Sequence, residues 1–265
     1  MLHFPLVDGE GATRLKLRMF SLIAGLALLL SACSVQRTGS DAEEPKTKDH
    51  IVIAAVGDSL TEGVGDPDGS GYVGRAAESL KKKGHVKTVD IKNYAVQGDK
   101  TSDLLEKLDN KKVQKSLKSA DYIFFTIGGN DLMKVLRQNM MQLTVQPFQK
   151  EEKPFEKRFK AIVSKIRKYN ENAELVYVSM YNPFTFTLPE LKEINGVVTD
   201  WNKIAAKELE KDPHAAAVNV EDLFSQKSGS RRISKDDDFH PNAKGYALIA
   251  DRLYGIIEKQ GLPAE

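Results

Sequence analysis

Four short polar blocks interrupt the apolar runs of this 265-residue chain. They are Gly57-Asp58-Ser59-Leu60, the run Asn93 to Gly98, Gly128-Gly129-Asn130-Asp131, and Asp236-Asp237-Asp238-Phe239-His240-Pro241-Asn242. A serine hydroxyl is a weak nucleophile near neutral pH. It needs a base within hydrogen-bond reach, and a third group that fixes the tautomer of that base. Ser59 supplies the hydroxyl and His240 the base. Asp237, three residues before His240, is a carboxylate that one turn of chain can bring to the imidazole. Acyl transfer further requires donors aimed at the developing oxyanion. The backbone N–H groups of Ser59 and Gly98 and the side-chain amide of Asn130 are three such donors. Together these residues point to attack on an ester carbonyl through a Ser59 acyl-enzyme, with no cofactor and no metal.

Residues so far apart in sequence meet only if the chain carries them to one place. From His50 onward, short β-branched runs alternate with segments of helical period, the signature of βαβ units and a parallel sheet. Strands are predicted over 51–56, 89–94, 122–127, 175–179 and 217–220. Each reads as apolar, as strands covered on both faces should be. Helices are predicted over 74–83, 102–108, 111–118, 155–169, 191–211 and 243–259, with Ser102 and Asn242 as N-caps. The expected fold is α/β, a three-layer α/β/α sandwich on a five-stranded parallel sheet in flavodoxin-like order. In such folds ligands bind at the carboxyl ends of the strands. Three of the four blocks lie at the end of a predicted strand, and the fourth precedes the last helix.

Other chemistries fit less well. A nucleophile elbow of the Gly-x-Ser-x-Gly type fails at Thr61. Gly63-Val64-Gly65 with Gly69 mis-spaces the third glycine of a dinucleotide loop, and no Gly-x-x-x-x-Gly-Lys-Ser/Thr sequence occurs. The Asp236 to Asp238 cluster falls short of the six to eight oxygens that calcium takes. Trp201 and Tyr177 read as core or pocket wall, and Lys81 to Lys83 as an exposed helix face. The segment 132–154 holds Met133, Met140, Met141, Leu143 and Phe148. These either pack as core under a helical excursion or line an acyl pocket beside Asn130, with Tyr181 to Phe184 as its opposite wall.

The four blocks, in this order, resemble those of the SGNH or GDSL hydrolase superfamily over roughly residues 51–257. Gly57-Asp58-Ser59-Leu60 is similar to its first block, Gly98 to its second and Gly128-Gly129-Asn130-Asp131 to its third. Asp237-Asp238-Phe239-His240-Pro241 is similar to its Asp-x-x-His block. The resemblance implies an ester hydrolase of esterase, lipase or lysophospholipase type in which Ser59, Gly98, Asn130 and His240 are catalytic. It leaves open an O-acyltransferase or a deacetylase acting on cell-wall polymer, and a non-catalytic binding lipoprotein that uses the same pocket.

The N-terminus reads as an address. Arg14, Lys16 and Arg18 precede an uncharged apolar run from Met19 to Leu30, too short for the ~20 residues that span a bilayer. Leu30-Ser31-Ala32-Cys33 resembles a bacterial lipobox, and Cys33 is the only cysteine. Asp8 and Glu10 sit where a basic leader should be, so the expected translation start lies downstream, near Leu15 or Leu17. The expected organisation is a lipoprotein signal peptide over 1–32, a flexible tether over 33–49 that begins at a lipidated Cys33, and a hydrolase domain over 50–265. With the lipobox and the long segment after its third block, the chain is similar to the YpmR-like lipoproteins of Gram-positive bacteria. The expected setting is the extracytoplasmic face of the cell membrane, with the protein a monomer acting on a small acyl ester or lipid. With 39 Lys+Arg against 37 Asp+Glu there is no basic excess to neutralise phosphates, which disfavours nucleic acid as a partner.

Overall fold

A computed structural model describes residues 48–83, 86–185, 193–225 and 227–261. The proposed signal peptide, Cys33 and all of the tether but its last two residues lie outside them. No helix among the described residues is long and apolar enough to cross a membrane.

Five strands, β1 (His50–Gly57), β2 (Thr88–Asn93), β3 (Tyr122–Thr126), β4 (Glu174–Val178) and β5 (Ala215–Val218), form one sheet. Its order is β2-β1-β3-β4-β5 and every pairing is parallel. This is the flavodoxin-like order expected from the alternation of strands and helices. The period of two divides each central strand between two cores. Ala54 and Val56 of β1, Ile123 and Phe125 of β3, and Leu175 and Tyr177 of β4 face one hydrophobic cluster. Ile51, Ile53, Ala55, Tyr122, Phe124, Val176 and Val178 face the other.

The helices in chain order are α1 (Ser59–Glu62), α2 (Gly71–Lys83), α3 (Thr101–Lys107), α4 (Lys111–Lys118), α5 (Gly129–Gln138), α6 (Gln146–Tyr169), α7 (Glu193–Leu209), α8 (Glu221–Ser225) and α9 (Ala243–Gln260). Buried residues of α2 and α9 cover one face of the sheet, and those of α3, α4, α6 and α7 cover the other. Trp201 and Tyr177 are fully buried core residues, and Trp201 stacks on Phe155 with ring centroids 4.4 Å apart.

Several expectations need correction. β2 (TVDIKN) is the edge strand and almost wholly exposed, so it is not an apolar strand covered on both faces. Its alternating charges suit an unpaired edge. β5 starts two residues early. The alanines Ala215 to Ala217, poor strand formers, pair with Leu175 to Tyr177, while Val220 leaves the sheet and its N–H donates to Ser179 Oγ. The cap of α3 is Lys100 rather than Ser102, and the Asp103 carboxylate accepts the Lys100 N–H. Asn242 caps α9 as expected, accepting from the N–H groups of Lys244 and Gly245.

The largest correction concerns the helix predicted over 155–169, which begins nine residues earlier. α5 continues to Gln138, and α6 begins at Gln146 and runs through Pro154. An internal proline removes one ladder hydrogen bond and crowds the preceding turn. Here Phe148 and Phe155, seven residues apart on one helix face, are both buried in the same core and hold the two halves together.

Candidate active site

Ser59 opens α1 at the carboxyl end of β1. Asp58 caps that short helix through Leu60 N–H (3.1 Å), and its carboxylate also accepts the Thr126 hydroxyl from the end of β3 (2.5 Å). Thr126 Oγ1 lies 2.8 Å from Thr61 Oγ1, which lies 2.7 Å from the Tyr72 hydroxyl. A buried polar chain therefore runs beneath Ser59. Thr61, read from sequence only as a missing glycine, is one of its links.

His240 reaches Ser59 from the opposite end of the chain. Its Nε2 lies 2.8 Å from Ser59 Oγ, and its Nδ1 lies 2.5 Å from Asp237 Oδ2. The other Asp237 oxygen accepts the backbone N–H groups of Phe239 (2.9 Å) and His240 (3.0 Å), which aims the carboxylate at the ring. Burial pushes the Asp237 carboxyl up, but these hydrogen bonds and the charge of His240 outweigh it and hold the group below its ordinary value. The loop is closed by Ser234 N–H to His240 O (2.7 Å) and by the Tyr181 hydroxyl to Phe239 O (2.6 Å). Ser59 and His240 are both buried.

Gly65 was not singled out for this site by its sequence, yet it sets the approach of His240. At φ +87, a Cβ on Gly65 would lie 2.7 Å from Pro241 O and 2.9 Å from His240 Cβ. Only the pairing of a glycine shortly after Ser59 with a distant histidine loop could have signalled this, and spacing alone does not encode it.

Asn130 is the second residue of α5, and its amide nitrogen donates to Asp99 O (3.0 Å). One amide N–H thus ties α5 to the turn that carries Gly98, and the amide has a second N–H to offer. Gly98 itself is exposed. The adjoining Asp131 carboxylate accepts from Thr101 N–H (2.9 Å), Thr101 Oγ1 (2.6 Å) and Arg158 (3.2 Å), so α3, α5 and α6 converge behind the site. All five predicted catalytic and oxyanion residues lie in the elements at the carboxyl edge of the sheet or in the His240 loop beside it. The sixth predicted site residue, Cys33, lies outside the described residues.

From Ser59 and Asn130 an apolar pocket runs inward, with about 690 Å³ of free space, part of it open to solvent. Leu132, Met133, Leu136 and Phe148 form one wall, and Tyr181, Pro183 and Phe184 form another. The pocket expected beside Asn130 is therefore present, but its lining differs from the sequence reading. Met140 and Met141 are exposed at the far end of α5 and do not line it, and Leu143 packs partly buried against the core. The reason is that α5 points its Leu132/Val135/Leu136 face inward and carries the following residues away from the mouth.

Asp58 is the most strongly shifted carboxyl of the site. Burial pushes it up to about 6, against the lowering effect of its hydrogen bonds from Thr126 and Leu60. A folded-state value above the unfolded one contributes stability below about pH 4, and that stability is lost as pH rises through about 6. Across those two units the loss is about 3 kcal/mol. Asp58→Asn keeps an acceptor and never ionises. Urea melts of the variant are expected to show a flatter stability profile between pH 4 and 7 and a more stable protein at pH 7.

A serine, histidine and aspartate in relay at the carboxyl edge of a parallel α/β/α sheet define a serine hydrolase of the flavodoxin-like type, distinct from the nucleophile-elbow fold. Residues 55–248 match the model of the GDSL-like lipase/acylhydrolase family. The chain belongs to that family and is a carboxylic ester hydrolase. It is 68% identical over 255 residues to the uncharacterized protein YpmR of Bacillus subtilis, covering 95% of this chain and all of that one. It is 26% identical over 220 residues to the spore germination lipase LipC of Bacillus licheniformis, covering 78% of this chain and 99% of that one. The crystal structure of the lipase Lip_vut3 from a goat rumen metagenome shares the fold. Its TM-score is 0.69 at 24% identity, covering 77% of this chain and 96% of that one.

Proposed function

We propose that this ester hydrolase works through a Ser59 acyl-enzyme. The observation that carries the reading is the relay Ser59–His240–Asp237, at 2.8 and 2.5 Å, opening on an apolar pocket. His240 takes the Ser59 proton as Oγ attacks the ester carbonyl, then returns a proton to the departing alcohol. A water activated by the same imidazole releases the acid. Asp237 keeps the imidazole in the tautomer that presents Nε2 to the serine. The oxyanion receives the Ser59 N–H, which at the first position of α1 has no partner within the helix, together with the Gly98 N–H and the remaining N–H of Asn130. The acyl chain lies between Met133 and Phe184.

We further propose that Cys33 carries the lipid and that residues 33–49 tether the domain, as a monomer, to the extracytoplasmic face of the membrane. The apolar run before Cys33 and the polar composition after it support this. Metabolic labelling with a fatty acid analogue is expected to mark wild type and not Cys33→Ala.

A fluorophosphonate probe tests the nucleophile. One adduct is expected on the peptide containing Ser59, and none after Asp237 and His240 are both replaced. An unlabelled Ser59 in folded protein would sink the reading. The pocket is tested by Met133→Trp, which fills space next to Asn130. On p-nitrophenyl esters, the decanoate-to-acetate ratio of kcat/KM is expected to fall by about tenfold or more, the range that mismatched apolar groups command in a pocket. An unchanged ratio would remove Met133 from the acyl wall.

A further inference from the structure

Two of the three oxyanion donors sit where packing alone does not fix them. Gly98 is exposed at φ +91, and a Cβ on it would meet nothing within 4 Å. Asn130 is only partly buried. Behind them stands a group of polar side chains that the reaction itself does not use. Thr101, three residues past Gly98 and the first of α3, is fully buried, and Asp131, next to Asn130 on α5, is buried with it. Thr101 donates to both oxygens of Asp131, from its N–H to Oδ2 at 2.9 Å and from its hydroxyl to Oδ1 at 2.6 Å. Arg158 of α6 completes the group. Its Nε donates to Thr101 Oγ1 (2.5 Å), and one terminal nitrogen donates to Asp131 Oδ1 (3.2 Å) and to Glu151 (2.7 Å). The Thr101 hydroxyl is therefore used twice, as donor to Asp131 and as acceptor from Arg158. With Asn130 Nδ2 to Asp99 O (3.0 Å), three hydrogen bonds cross directly from residues 99–101 to residues 130–131. On its other side the Gly98 turn is tied toward Ser59, by Val96 N–H to Gly57 O (3.0 Å) and Gln97 N–H to the Glu62 carboxylate (2.5 Å). A buried carboxylate beside an oxyanion donor would repel the charge that forms there, and the Arg158 guanidinium offsets it.

We propose that Thr101, Asp131 and Arg158 form a clamp that holds the Gly98 and Asn130 donors at the spacing one oxyanion requires. The proposal rests on the Ser59 hydrolase reading and assigns it three positioning residues. Oxyanion donors accelerate a reaction only when they are already aimed before the charge develops. A displacement of about 1 Å can cost about 10² in rate. Removing the Thr101 hydroxyl leaves Arg158 Nε without its acceptor and Asp131 Oδ1 without its closest donor, in a place with little access to water. The turn and α5 are then joined only by the Thr101 N–H and by the Asn130 amide. That amide also has to serve the oxyanion, so slack between the two segments falls on the donor itself. The ground-state ester is held mainly by its acyl group in the apolar pocket, which the clamp residues do not line apart from the neighbouring Asn130. Loosening the clamp should therefore lower kcat and leave KM nearly unchanged, the signature of an interaction made in the transition state.

The test uses the full chain in non-ionic detergent, p-nitrophenyl butyrate as substrate, and a urea melt of every variant. Thr101→Val keeps the shape of the side chain and removes the hydroxyl. Its kcat is expected to fall about 10- to 100-fold with KM within about twofold of wild type. Thr101→Ser restores the hydroxyl and is expected to stay within about threefold of wild type. Arg158→Gln, altered at a part-exposed side chain, is expected to repeat the Thr101→Val result, and it carries the comparison if Thr101→Val does not fold. In Asn130→Ala one of the two clamped donors is gone. Adding Thr101→Val there is expected to cost at least about threefold less than it costs wild type. A folded Thr101→Val protein with wild-type kcat overturns the proposal, as does a Thr101→Ser protein just as slow. A loss of equal size with and without the Asn130 amide also overturns it, since the group would then support the fold and not the donor. Fluorophosphonate labelling of wild type separates the two levels. Labelled, active enzyme whose kcat ignores Thr101 defeats only the clamp, whereas wild type that neither labels nor cleaves any ester defeats the Ser59 reading beneath it.

Discussion

Ser59→Ala is expected to lower kcat on p-nitrophenyl esters by roughly 10³- to 10⁵-fold, equivalent to about 4 to 7 kcal/mol of lost transition-state stabilisation. The remaining rate comes from binding and from oxyanion donors that the substitution does not touch. Ser59 Oγ has the His240 ring 2.8 Å away, and Asp58, Thr61 and Thr126 hold the turn independently of the hydroxyl. The variant should therefore melt within about 1 kcal/mol of wild type, the net worth of one hydrogen bond. Steady-state kinetics and a urea melt on the same preparation check both halves. A folded Ser59→Ala protein with wild-type turnover would exclude the acyl-enzyme. A protein that lost activity only because it unfolded would leave a low melt as its signature.

Gly57→Ala is expected to be the most destabilising single change at the site. Gly57 pairs with Thr126 in the sheet, has φ +124, and a Cβ there would lie 2.0 Å from the Thr126 carbonyl oxygen. That oxygen also receives the Asp58 N–H at 3.2 Å. The strand cannot retreat without breaking the turn that aims Ser59. Steric overlap with backbone, added to a conformation that L side chains avoid, is expected to exceed about 4 kcal/mol. Out of a typical 5 to 15 kcal/mol, that leaves little folded protein. Gly129→Ala is the control, since a Cβ there meets nothing within 4 Å and the residue is helical. Urea denaturation should separate the two variants widely. A Gly57→Ala midpoint close to that of Gly129→Ala would show that β1 and β3 have room to part.

Much of this arrangement is legible in the residues themselves. The strands at β1, β3 and β4 are continuous apolar runs because both faces are covered, and such runs are unambiguous. Their alternation with helices allows few topologies. The edge strands were harder to read. β2 (TVDIKN) looked like any strand in pattern yet lies exposed, and β5 took the alanines 215–217 while the more apolar Val220 stayed outside. Propensity yields to tertiary position at a sheet edge. The helix through Pro154 was hidden for a similar reason. A local breaker signal is overridden by Phe148 and Phe155 packing into one core, a contact that no window of sequence contains.

The site divides along the same line. Ser59, Asp237, His240, Gly98 and Asn130 are recognisable from residue type and order, because nucleophile, base, orienting acid and donors are defined by functional groups that few residues supply. Asp237 and His240 also meet by short-range geometry alone, three residues apart. The sequence by itself therefore determined the class of chemistry, the parallel α/β scaffold and the candidates for the reacting groups. What only the tertiary structure decided is how those groups are aimed and what stands around them. The Gly65 backbone makes room for His240, Thr61 and Thr126 join Asp58 beneath the serine, and Met133 lines the pocket while Met140 and Met141 do not. Thr101, Asp131 and Arg158 join the turn of Gly98 to the helix of Asn130. These are contacts between segments tens to nearly two hundred residues apart, set by close packing and by which face of a helix the core claims, and a one-dimensional pattern carries no record of either.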